Sequence, residues 1–266
     1  GGGRRPGPRS LRPHGQPGRG PPPAPGHGRA RRVSPNPPAP RQERVFPTAA
    51  AAVAALEAQR GPRSGLWVYR GADGEPAVAV VRWDGPEGKV YRPVSRAEAG
   101  WTLRGLPRPR PLYRLPHLDG ETRVYVVEGE KCAEAAAGID LVATTSLHGA
   151  KTDWSPLAGL EVIVIPDHDA AGESYAREVA GILMGLSPPA EVRVLRLPGL
   201  SPGGDIDDFI AARKAAGLTD EAIRREVEAL AAAAPTPSVG ATGEGDAGCS
   251  WPEPKPLPDP PPGARI

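Results

Sequence analysis

The sequence predicts an α/β protein: a parallel four-stranded sheet flanked by helices, preceded by a small α+β region and bounded by disordered tails. Three observations predict it. From Val124 onward, short apolar runs alternate with helix-like stretches, the pattern of a parallel sheet covered on both faces. Ahead of that, β-rich runs are separated by Gly/Asp/Pro links with turn chemistry. Both ends are rich in Gly and Pro with few large apolar side chains, too little to offset the entropy of ordering the chain. The expected boundaries are a tail over 1–42, the α+β region over 43–120, the α/β domain over 121–234 and a second tail over 235–266.

In chain order, Val45–Arg60 (VFPTAAAAVAALEAQR) reads as a short helix, started at Pro47 or Thr48 and stopped by Gly61-Pro62. Leu66–Arg70, Ala77–Trp83 and Lys89–Pro93 read as a meander of roughly three strands, joined through Gly71–Gly74 and Asp84–Pro86. Gly105–Pro116 is dense in Pro and Arg and reads as an extended connector. Then follow a strand over Val124–Glu128, a helix over Glu130–Ala137, a strand over Leu141–Thr145 and a strand over Val162–Pro166. A longer helix over Ala170–Leu186, a strand over Glu191–Leu197 and an acidic loop over Gly204–Asp208 come next. Helices near Asp207–Ala216 and Thr219–Ala234 close the domain.

Charge is unevenly spread. Residues 1–41 hold nine Arg and no acid, so a net charge of +2 hides a basic arm on an acidic body. The arm's arginines are able to touch nucleic acid non-specifically, and a low-complexity leader without a role is the plainer account. No apolar run is long enough to span a membrane and no secretory signal is visible, so the expectation is a cytoplasmic protein with no membrane partner. The only methionine is Met184, which points to a fragment or a mis-started reading frame. Cys132 and Cys249 are far apart, so neither a zinc site nor a disulfide framework is expected.

The chemistry is expected among the carboxylates. Glu128 ends one apolar run, Asp167 and Asp169 end another as DxD, and Asp205, Asp207 and Asp208 follow the last strand. In a parallel sheet the strand ends share one rim, where open α/β sheets place their ligands. Like charges packed together repel and raise one another's pKa, a penalty that a divalent cation removes. Hard cations of the Mg²⁺ type take oxygen ligands and commonly combine carboxylates with substrate phosphates. Taken alone, each acid reads more readily as a helix N-cap than as a ligand: Asp167 or Asp169 before one helix, Asp205 or Asp207 before the next. Their joint order and spacing favours a metal site.

These pieces resemble the Toprim domain, the catalytic fold shared by DnaG-type primases, topoisomerases and certain nucleases. The resemblance is carried by VYVVEGEKCAEA, LVATTSLHGA, VIVIPDHDAAGESYA and LPGLSPGGDIDDFI. The PDxDxAG and GDxxDFI elements look closest to primases of phages and plasmids. The preceding segment, with RWDGPEGKVYRPVS, GWTLRG and PLYRLPHL, resembles the region ahead of Toprim in those proteins, so the likeness covers roughly residues 44–215. The resemblance implies that Glu128, Asp167 and Asp169 are the catalytic and metal-holding acids, with Asp205 or Asp207 adding a further ligand. It implies Mg²⁺ as cofactor, with Mn²⁺ as an alternative, single-stranded DNA and nucleoside triphosphates as partners, and a separate replicative helicase. Three departures stand out: no Cys/His-rich zinc segment precedes the domain, no GxxxxGK[ST] P-loop occurs, and Cys132 stands where those proteins often carry Asp.

Other residues follow from that substrate class. Lys131 at a helix start and Gly149 in the His148-Gly149 loop are candidate phosphate contacts, with a solvated surface lysine as the plain alternative. His168 is expected to point away from its acidic neighbours, in a solvent or supporting role. Cys132 is expected to pack as a small hydrophobe. Between Arg82 and Arg114 cations interleave with aromatics, which suits a single strand; Arg82, Trp83, Tyr91, Arg92, Trp101, Arg104 and Arg114 are the candidate nucleic-acid contacts. The ordinary alternative is a small sheet with aromatics inside and arginines outside. The leading expectation is primase-type nucleotidyl transfer making short RNA primers. A Toprim nuclease and a non-catalytic nucleic-acid-binding remnant are the alternatives.

Overall fold

The computed structural model describes residues 44–105, 109–147 and 149–237. The expected disorder of 1–42, most of the second tail, part of the Gly105–Pro116 connector and the reading of His148 lie outside the described residues.

The first element is α1 (Ala49–Arg60). Thr48 caps it, with Oγ1 accepting the Ala51 N–H at 3.1 Å, and Gly61 at φ 83° ends it. The antiparallel strands β1 (Gly65–Arg70), β2 (Pro76–Gly85), β3 (Gly88–Ala97) and β4 (Gly100–Thr102) follow in sequential order. The fourth strand extends the expected meander of three. It is pinned by a reciprocal pair of 2.8 Å hydrogen bonds between Phe46 and Trp101. The pleat sorts this sheet into two faces. Ala79, Val81, Trp83 and Val94 pack under α1 with Phe46, Val53 and Leu56, while Trp67, Tyr69, Val78 and Val80 face the other way.

The second sheet is parallel, in the order β6 (Ala143–Thr144), β5 (Arg123–Val127), β7 (Glu161–Ile165), β8 (Glu191–Val194). This is the α/β class the strand–helix alternation predicts. Its strands are buried on both faces. Tyr125, Val127, Ile163 and Ile165 pack with α2 (Glu130–Ala137), α4 (Ile206–Ala215) and α5 (Asp220–Ala233). Val124, Val126, Val162 and Val164 pack with α3 (Ala170–Met184). β6 and β8 are shorter than the apolar runs that foretold them. Leu141 leads into β6, and Leu195 and Leu197 follow β8; all three are buried but outside the ladders.

One apolar cluster joins the two sheets. Trp67, Tyr69, Val78 and Val80 of the meander lie in the same cluster as Ala133 and Ala136 of α2. The meander's inner face therefore stands against the helix that starts after Glu128, and the space above that helix becomes a cleft with two walls. No helix among the described residues is long and apolar enough to cross a membrane.

Candidate active site

Glu128 stands one residue past β5, and Gly129 at φ 81° turns the chain into α2. Its Oε1 accepts the backbone N–H of Asp167 at 3.0 Å, so the two strand ends are tied together at this carboxylate. Burial raises its pKa, and the charge of Asp169 adds to the rise. Asp167 is perturbed further. Burial pushes its carboxyl up to about 7, and the charges of Glu128, Asp205, Asp169 and Asp208 all push the same way. Acids from three separate segments thus act on Asp167.

The N-cap reading is also real. Asp169 caps α3, its Oδ1 accepting the Gly172 N–H at 2.7 Å. Asp205 caps α4 in a capping box: it accepts the Asp208 N–H at 3.0 Å, and Asp208 accepts the Asp205 N–H at 3.2 Å. The two readings are compatible, because a cap of this kind engages one carboxylate oxygen with one N–H. Asp205, Asp207 and Asp208 bring ligand oxygens within 4.8 Å of one another. Asp207 itself pairs with Lys131 at 2.5 Å, and Lys131, an expected phosphate contact, also lines the cleft.

The donor set fits a hard divalent cation. Every group around Asp167 that raises its pKa is a carboxylate, and oxygen donors of this charge are what Mg²⁺ or Mn²⁺ selects. Gly172 belongs to the same construction. A Cβ there would stand 2.8 Å from Glu128 Oε1 and collide with the Asp167 backbone, so only glycine lets the first turn of α3 lie against both.

The cleft above these acids has a volume of about 310 Å³. Glu128, Asp167 and Asp205 line one side, and Trp67, Arg82, Lys89 and Tyr91 of the meander line the other. Arg82 and Tyr91 are cross-strand partners in β2 and β3. The Arg82 guanidinium is held by Asp84 at 2.8 Å.

The remaining expected contacts sort by the pleat. Trp83 is buried under α1 and its indole N–H donates to the Gly61 carbonyl at 2.9 Å, so it has no open face for a base. Arg92 lies opposite Val81 on that same side; burial and the nearby Arg60 lower its pKa. Trp101 is half-buried against the same cluster. Arg104 is exposed beyond β4, and Arg114 sits half-buried at φ 57° ahead of a short 3₁₀ turn. None of these five lines the cleft. Gly149 does, but the close approach it permits is to the Glu178 carboxylate, which disfavours a phosphate at that spot.

Two acids of α2 were not among the expected site residues. Glu130 is buried and accepts from Tyr69 Oη at 2.9 Å; Glu134 accepts from Tyr113 Oη at 2.8 Å and Trp67 Nε1 at 3.2 Å. They hold the meander onto α2 and so set the width of the cleft. Cys132 is free and buried beside them, its thiol pushed up by burial and by Asp205.

The solved structures similar to this one include primase catalytic cores. The E. coli primase catalytic core is 22% identical, with 64% of this chain and 51% of that one covered and a TM-score of 0.45. The primase fragment of the bacteriophage T7 primase-helicase protein is 17% identical over 62% of this chain and 60% of that one, with a TM-score of 0.41. The zinc-binding and RNA polymerase domains of the Aquifex aeolicus primase are 17% identical over 72% and 50%, with a TM-score of 0.44. The chain thus spans between half and three fifths of these relatives' length. No protein-family model matches the sequence, and no curated protein does.

Proposed function

We propose that this chain is a primase-like nucleotidyltransferase of Toprim type, of phage or mobile-element origin, which makes short RNA primers on single-stranded DNA. The observation that carries the reading is Asp167: a carboxyl pushed up to about 7 by burial and then by acids from three segments, at the floor of a cleft whose far wall is basic and aromatic. An acid so placed is stabilised by a divalent cation, and the Glu128, Asp167, Asp169 and Asp205 carboxylates are the groups that would hold Mg²⁺ or Mn²⁺. Such an ion would supply charge neutralisation at the phosphates of the bound triphosphate. Arg82 and Lys89 face the cleft as phosphate partners, and the Tyr91 ring offers a surface for a base. Glu128, fixed by the Asp167 amide, is the group positioned to take a proton from an attacking hydroxyl. A replicative helicase is the expected working partner.

The test is to incubate the protein with single-stranded DNA, Mg²⁺ and labelled ribonucleotides. The expected product is RNA a few nucleotides long, absent with Asp167→Asn and with chelator. Shortened template without new RNA would assign the same acids to hydrolysis. DNA binding unchanged in Asp167→Asn, with no reaction in either protein, would leave a binding module.

A further inference from the structure

Between β8 and α4 the chain runs from Leu195 to Asp205 through turns alone, with Gly199 and Gly203 at φ 77° and 76°. Such a segment has no ladder to fix it, yet it ends on Asp205, whose charge acts on Asp167. Leu195, Leu197 and Leu200 anchor its first part in the core, and the middle residue of the DHD turn ties down its end. The His168 N–H donates to the Gly204 carbonyl at 2.8 Å, and its own carbonyl accepts the Gly203 N–H at 2.9 Å. The imidazole adds a third link: Nδ1 lies 2.9 Å from the Leu200 carbonyl and 3.1 Å from that of Ser201. Carbonyl oxygens only accept, so Nδ1 carries a proton and donates.

We propose that His168 is a positioning residue: its Nδ1–H staples the 200–204 loop to the DHD turn and thereby sets where Asp205 stands relative to Asp167. The backbone links are open to any residue at this position, whereas the side-chain link needs a donor one bond from Cγ. The inference rests on reading the acid cluster as a cation site. The histidine contributes by placing the loop and does not touch the cation or the substrate.

The experiment compares wild type with His168→Ala, His168→Asn and His168→Gln. Asn puts an amide N–H where Nδ1 stands; Gln carries it one carbon farther. Two readouts are taken: metal-free amide exchange at Gly203 and Gly204, and Mn²⁺ affinity by paramagnetic-resonance titration. The side chain is exposed, so the effect is that of one hydrogen bond in competition with water. Ala and Gln should speed exchange and weaken Mn²⁺ binding by about three- to ten-fold, with melting temperature unchanged, and Asn should restore both. Exchange in Ala equal to wild type overturns the proposal, as does Asn behaving like Gln. So does altered exchange with unaltered Mn²⁺ affinity. Wild type binding Mn²⁺ no better than Asp167→Asn would instead sink the cation-site reading, and the exchange pattern alone would then decide whether the staple exists.

Discussion

Asp167 is a residue whose surroundings work against its own charge. Its carboxyl is pushed up to about 7 in the folded chain, well above the ordinary Asp value that the unfolded chain would show. The sign follows: folding favours the protonated form, so without a cation this group costs stability that grows as pH rises from about 4 and is complete above about 7. Asp167→Asn should therefore stabilise the metal-free protein at pH 8. The gain should be on the order of 1–2 kcal/mol once solvent screening of a half-buried group is allowed for, or roughly 3–6 °C. It should vanish near pH 4, and added Mg²⁺ should raise the melting temperature of wild type only. Thermal melts at both pH values check it. Gly172→Ala makes the complementary prediction. The new methyl displaces Glu128 Oε1 or the start of α3, and overpacking of this kind costs about 1–3 kcal/mol. Mg²⁺ should stabilise the variant less than wild type. At this scale the sequence made Glu128 and Asp167 readable, because apolar runs ending in acid are conspicuous. Glu130 and Glu134 were not readable: on a short helix they look like solvated surface, and only the meander packed above them makes them buried acceptors.

At the scale of elements, the docking of the meander on α2 depends on those two acceptors. Burying a carboxylate is expensive, and Glu130, only 3% exposed, has its pKa raised by that burial while Tyr69 Oη donates to it. Tyr69→Phe keeps the ring but removes the donor. The expected cost is about 1–3 kcal/mol, the usual penalty for a buried polar group left unpaired. A urea denaturation midpoint reads it directly. Tyr113→Phe should cost less, because Glu134 keeps the Trp67 indole as a donor. The parallel sheet was legible as an element because its strands are near-continuous Val/Ile runs between helix-like stretches. β4 was not. It is three residues long, starts on glycine, and exists because Phe46, far back in the chain, supplies its second partner. Local pattern carries no trace of such a pairing.

At the scale of the whole molecule, the alternation of side chains through a pleated sheet decides which cations meet the cleft. The run from Arg82 to Arg114 looks uniform in sequence, but β2 and β3 send successive residues to opposite faces, and α1 covers one of them. Arg82, Lys89 and Tyr91 line the cleft; Trp83 and Arg92 lie on the covered side. The two groups should separate in salt titrations of single-stranded DNA binding. Each lost phosphate contact lowers the slope of log affinity against log salt by about 0.7 for a single strand. The double variant Arg82→Ala/Lys89→Ala should thus lose up to about 1.4 in slope, whereas Arg92→Ala should leave the slope unchanged and lower stability. Tyr91→Ala should weaken binding by about 1–3 kcal/mol at every salt concentration, because stacking releases no counterions. A slope that falls in Arg92→Ala and holds in the double variant would move the strand to the other side of the meander, away from Asp167. The acids would then face a cleft without a template, and the priming reading would fall with it.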